Sequence, residues 1–177
     1  MDLQGILQSV HDPANNALRI SSAPDVIYIP VNSMAVHTGT PTIVVTNDWP
    51  RAQFADAVTT TMVGTFSPPP TWSRMSMGFW FTSTVSSNNQ RWRLAMKEAR
   101  AFQDNITDAY EQDVSATHTI FTAGIMHKAS DQILNYTLVP GALGGSHYQF
   151  LISRIGADGA DSNTGIGELF GVYAARA

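Results

Sequence analysis

The stretch Arg91–Phe102, RWRLAMKEARAF, decides the fold class of the chain. Its composition suits a helix, since Leu, Ala, Met, Lys, Glu and Arg are good helix formers. Its order suits a strand. Trp92, Leu94 and Met96 alternate with Arg91, Arg93, Ala95 and Lys97, a period of two that gathers the apolar side chains on one face. We read it as a strand in preference to a helix, which makes the chain β throughout from about Asp25.

The flanking sequence follows the same rule. DVIYIPV (25–31) and TPTIVVT (40–46) are rich in β-branched residues, and in MSMGFWFTS (75–83) Met75, Met77, Phe79 and Phe81 alternate with Ser76, Gly78 and Trp80. ATHTIFTAG (116–124), QILNYTLVP (132–140), YQFLISRIG (148–156) and GELFGVYAAR (167–176) read as further strands, separated by the turn signals VSSNNQ, PGALGGS and GADGADSNTG. About eight strands at sandwich-like spacing result. TNDWPRAQFADAVTTT (46–61) reads as a long surface connection, and the three prolines of SPPPTW (67–72) forbid a central strand.

At 177 residues the chain is expected to form one domain with a short appendage. Charged residues make up 14%, well under the roughly 25% typical of soluble domains. A net charge of −4 with ten scattered Lys and Arg argues against nucleic acid as a partner. The absence of Cys excludes disulfides and thiolate metal sites. The opening MDLQGILQSVHDPANN has an acid at position 2 and a broken apolar pattern, so neither a signal peptide nor a membrane span is expected. In residues 1–24 Leu3, Ile6, Leu7, Val10, Leu18 and Ile20 form an apolar series around a DPANN turn, and a docking arm is expected there, ahead of a β-sandwich domain over 25–177.

NDWPRAQF, GTFSPPPTW, MGFWFTST followed by NNQRWRL, and the ending LISRIGADGADSNTGIGELFGVYAAR occur in an order that resembles the jelly-roll virion proteins of tailed phages. These are capsid decoration (cement) proteins and head- or tail-fibre domains. The likeness runs from Thr40 onward, about three quarters of the chain. The opening LQGILQSVHDPANNALRI is similar to their N-terminal docking segments, with His11 where an aromatic is more usual, and ADAVTTTMVGTF lacks the family's acidic pair. The resemblance implies an all-β antiparallel jelly-roll sandwich with a short N-terminal docking arm and no enzymatic activity. It further implies a homotrimeric decoration protein on the outer surface of the phage particle, bound to the major capsid protein and in contact with other head or tail proteins. A head- or tail-fibre domain that binds a host receptor or glycan is the alternative. No cofactor, catalytic residue, metal or membrane is expected.

Three groups of residues carry potential chemistry. Asp158, Asp161 and Asn163 crowd a glycine-bracketed loop. Asp and Asn cap local backbone N–H groups in turns, so the loop reads as a structural turn in preference to a calcium site, and Asn at positions 158 and 161 is expected to cost little stability. The five His residues show no metal-binding spacing, and no GxSxG elbow or phosphate loop occurs. Trp49, Trp72, Trp80 and Trp92 are weighed as a sugar-stacking platform. Trp92 falls in phase with the core, while Trp49 and Trp72, beside prolines, suit an edge or a subunit interface.

Overall fold

The computed structural model describes residues 11–12, 17–18, 25–46, 48–99, 109–138 and 147–177. Strands β1 (His11–Asp12) and β2 (Ala17–Leu18) pair antiparallel, with His11 opposite Leu18. Leu3, Ile6, Leu7, Val10, Ile20 and the DPANN turn lie outside the described residues. The body follows as β3 (Val26–Pro30), a 3-10 turn (Val31–Ser33), β4 (Ala35–Thr38), β5 (Thr42–Thr46), β6 (Trp49–Phe54) and β7 (Thr59–Phe66). It continues as β8 (Arg74–Ser83), β9 (Asn89–Ala99), β10 (Gln112–Thr119), β11 (His127–Thr137), β12 (His147–Ile155) and β13 (Gly167–Arg176).

These strands form a two-layer antiparallel jelly-roll sandwich, as the sequence led us to expect. One sheet runs β10-β9-β12-β7-β4; the other runs β11-β8-β13-β6-β5 and takes β3 as a further partner of β13. The far edge of β13 is divided. Gly167–Leu169 pair with β6 and Gly171–Ala175 pair with β3, and the register shift against β8 falls between Leu169 and Gly171, at Phe170.

The alternation that selects strand also fills the core. Met75, Met77, Phe79 and Phe81 of β8 face Trp92, Leu94 and Met96 of β9 across the sandwich, all buried. The Trp92 ring is enclosed by Phe54, Phe79 and Phe81 at centroid distances of 5.1, 5.4 and 5.6 Å. Truncating a buried aromatic of this kind costs about 3–5 kcal/mol. Arg91–Phe102 is thus a strand as far as Ala99, between β10 and β12 of the five-stranded sheet.

Two readings of the sequence are corrected. Residues 46–61 are not a surface connection, because they contain β6 and the start of β7. Pro50 is tolerated inside β6 because it faces Val45 of β5 on one side, while pairing with β13 begins only at Ala52. Ala52 and Phe54 then enter the core. The strand count rises accordingly. SPPPTW does remain outside the strands, and Trp72 behind it is buried.

Candidate functional site

The Asp-rich loop between β12 and β13 is built around Arg154, whose side chain is fully buried. Both Asp161 carboxylate oxygens accept from it, Oδ1 from Nη2 at 2.8 Å and Oδ2 from Nε at 2.9 Å, and Oδ2 also accepts from the Arg91 N–H at 3.0 Å. The guanidinium further donates to the carbonyls of Phe54, Asn163 and Gly165. Asn163 uses both ends of its amide. Oδ1 accepts from Ser83 Oγ and the Gly165 N–H, and Nδ2 donates to the carbonyls of Val85 and Ser87. Asp158 accepts from the Ala160 N–H and pairs with Arg91. The loop therefore ties the β12–β13 turn to β6, β8 and β9. Among the described residues no group of three or more His, Asp or Glu is placed to hold a metal ion.

Replacing Asp161 by Asn is accordingly no mild change, against the expectation from sequence. An isolated Asp-Gly loop gives no sign that a buried arginine from the preceding strand lies in its centre, and that burial raises the cost.

A second constellation lies on the outer face of the six-stranded sheet. Because Met77, Phe79 and Phe81 point inward, Trp80 points outward, opposite Gly171 of β13. By the same alternation Ile27 and Ile29 turn toward the core and leave Tyr28 outside, while Trp49 stands at the outer start of β6. Tyr28, Trp49, Trp80, Met126 and Phe170 line one groove of about 330 Å³. Trp49 is 55% and Tyr28 46% exposed, a large apolar surface to leave in water.

Two glycines on this face make room for tyrosine side chains. A Cβ on Gly171 would lie 2.7 Å from Tyr28 Oη, and one on Gly78 would lie 2.4 Å from Tyr173 Oη. Glycine at these outward positions lets both tyrosine rings lie across the sheet. Tyr28 is held there by donating to the Phe170 carbonyl at 2.8 Å, and its partial burial raises the phenol pKa above the ordinary value. Trp49 meets Phe170 edge to face at 6.3 Å, and Trp80 lies 6.1 Å from Tyr173. Polar groups flank the aromatics: Glu168 accepts from Arg51 at 2.7 Å and from Gln53 at 3.0 Å.

Two of the four tryptophans weighed as a platform thus reach one groove, Trp49 and Trp80, whereas Trp72 and Trp92 are core residues. Tyr28 and Phe170 were missed. The period-two pattern of DVIYIPV carried a signal for Tyr28; Phe170 sits at a bulge, which a strict alternation cannot locate. No described helix is long and apolar enough to cross a membrane.

No protein-family model and no curated protein matches the chain in sequence. Among solved structures it is similar to the CBM36-1 domain of a multidomain xylanase from the hindgut metagenome of Trinervitermes trinervoides, with a TM-score of 0.48 and 9% identity over 84% of this chain and 94% of that one. It is similar to TmCBM61, solved with β-1,4-galactotriose, with a TM-score of 0.45 and 10% identity over 81% and 87%. It also resembles part of the enzymatically active domain of bacteriophage CBA120 tailspike protein 4, with a TM-score of 0.44 and 10% identity over 85% of this chain and 19% of that one. The strand pairing above defines the sandwich independently of these likenesses.

Proposed function

We propose that this chain is a non-catalytic glycan-binding β-sandwich that stacks sugar rings on the outer aromatic face of its six-stranded sheet. The observation that carries this reading is the convergence of Tyr28, Trp49, Trp80 and Phe170 on one open groove, with Gly171 leaving room for the Tyr28 ring. Sugar rings present apolar C–H faces that stack on aromatic planes, and their hydroxyls take hydrogen bonds from flanking side chains. A host-surface glycan bound by a head- or tail-fibre domain fits the resemblance to tailed-phage virion proteins. Glycan-array binding, followed by calorimetry on each positive saccharide, tests the reading. Trp49→Ala and Trp80→Ala should each weaken binding by about tenfold or more, the scale of a lost aromatic anchor. Retention of full affinity by both variants would remove the groove from consideration.

A second reading, homotrimeric capsid decoration, is favoured by a different surface. On the edge strands β4 and β5, Val36, Ile43 and Val45 are 51%, 44% and 68% exposed. An uncovered apolar edge of this kind suits a neighbouring subunit. Light scattering at three times the chain mass, with dissociation by Ile43→Lys, would support a subunit contact there. Dissociation by Trp49→Ala would instead assign the aromatic face to the assembly. Attachment of residues 1–24 to the major capsid protein is tested by co-sedimentation of a chain lacking Met1–Ile20 with phage particles.

A further inference from the structure

Around the edge of β11 from the aromatic groove lies a second cleft, of about 320 Å³, between Thr117, His118 and Thr119 of β10, Phe121, and His127 and Lys128 of β11. It differs from the groove in character. Its walls carry two imidazoles, and His118 Nε2 is buried with no hydrogen-bond partner. Phe81 stands between the imidazoles, 5.3 Å from the His118 ring and 5.7 Å from that of His127.

Lys128 joins the two cavities. The residue borders the cleft, while its Nζ lies 5.8 Å from the Trp80 centroid and 4.9 Å from that of Tyr173, on the aromatic face. The rings hold the ammonium in place without neutralising it. It has no carboxylate partner among the described residues. The other cation beside the groove, Arg51, is committed to Glu168, and the Glu168 carboxylate is itself 4% exposed and occupied from both sides. Among the described residues, a chain with net charge −4 therefore presents a pre-positioned cation without a carboxylate partner beside the aromatic groove.

We infer that the saccharide bound on this face is acidic, with a carboxylate held against Lys128 beside Trp80 while neighbouring rings stack on Trp80 and Trp49. This rests on the glycan reading above and names its substrate class. A charge-assisted hydrogen bond from Lys128 rewards a carboxylate and gives a neutral sugar no equivalent gain. One permanent cation matches a singly charged uronic or ulosonic acid better than a phosphate dianion.

The test uses matched pairs on one array beside neutral microbial polysaccharides: oligogalacturonate with its methyl ester, and 3′-sialyllactose with lactose. The full chain and Lys128→Gln are compared, and thermal melting confirms that the variant is folded. The acidic member of at least one pair should bind about tenfold more tightly than its neutral partner, and added salt should reduce that preference. Lys128→Gln should bring the two members within about twofold of each other by removing that charge-assisted contact. Equal binding of acidic and neutral members, or a preference that survives Lys128→Gln, overturns the inference and leaves the glycan reading standing. Absence of binding to every saccharide, acidic and neutral alike, overturns both.

Discussion

In the turn between β12 and β13, Arg154, Asp161 and Asn163 are engaged almost completely by other parts of the chain. On the outer face of the six-stranded sheet, Trp49 and Tyr28 are large apolar side chains with about half their surface in water. The turn holds residue types associated with chemistry and uses them as internal struts. The sheet face holds residue types associated with cores and leaves them open. The physical difference is one of saturation. A buried charge must be matched at once or the fold does not tolerate it, whereas exposed apolar surface is tolerated at a modest cost and stays available to a partner.

The largest effect should come from breaking the strut. Asp161→Asn removes the buried, two-pronged carboxylate partner of the Arg154 guanidinium and leaves it only the longer pair with the partly exposed Asp56 at 3.4 Å, so about 3 kcal/mol or more should be lost. For a chain of this size that lowers Tm by on the order of 10 °C in a thermal melt. Asp158→Asn serves as the control: its pair with Arg91 is partly exposed, so less than about 1 kcal/mol should go. Equal melting temperatures for the two variants would show that the turn does not work as described.

Next in size is a substitution that disturbs the open face from beneath. Gly171→Ala places a methyl 2.6 Å from the Ile29 carbonyl and 2.7 Å from Tyr28 Oη. Overpacking of this kind costs about 1–3 kcal/mol. It should also weaken saccharide binding by displacing the Tyr28 ring. Trp49→Ala sharpens the contrast. It should weaken binding while changing unfolding free energy by no more than about 0.5 kcal/mol, since no core packing is removed. Chemical denaturation and calorimetry on the two variants separate support of the face from contact through it.

The smallest effect concerns His118, which stands between the two extremes. Burial, and secondarily the charge of His127, hold its pKa below the ordinary 6.5. The unfolded chain then binds the proton more readily than the folded one. This contribution to stability is therefore intact above pH 6.5 and declines as the pH falls below it toward the depressed folded value. Denaturation midpoints across that window should fall on acidification, and His118→Gln should flatten the slope. A midpoint rising as the pH drops would contradict the burial of His118.

The β-sandwich was legible because alternation is local. Met75 to Phe81 and Trp92 to Met96 announce their inward faces residue by residue. The strand at Trp49–Phe54 was not, because whether Pro50 breaks a strand depends on which neighbours need its missing N–H, and those neighbours are β5 and β13. Similar reasoning applies to function. Trp49 and Trp80 could be suspected singly, but their convergence with Tyr28 and Phe170 is set by β3 and β6 sharing one edge of β13. The arginine inside the Asp-rich turn was hidden likewise, since it reaches β6 at Phe54 while Asp161 and Asn163 beside it bind β9 and the β8–β9 turn.

That shared edge has a further consequence. Among the described strands β3 is hydrogen-bonded to β13 alone, so it can detach without disturbing the pairing of β13 with β8. Such an opening is a local unfolding event with a free energy below that of the whole domain. It would carry Tyr28 away and remove one wall of the aromatic groove. Amide hydrogens of Val26–Ile29 engaged with β13 should therefore exchange with solvent as a group, faster than the central β8–β13 ladder. A saturating saccharide should slow their exchange more than that of any core strand, which makes the mobility of β3 a direct gauge of groove occupancy.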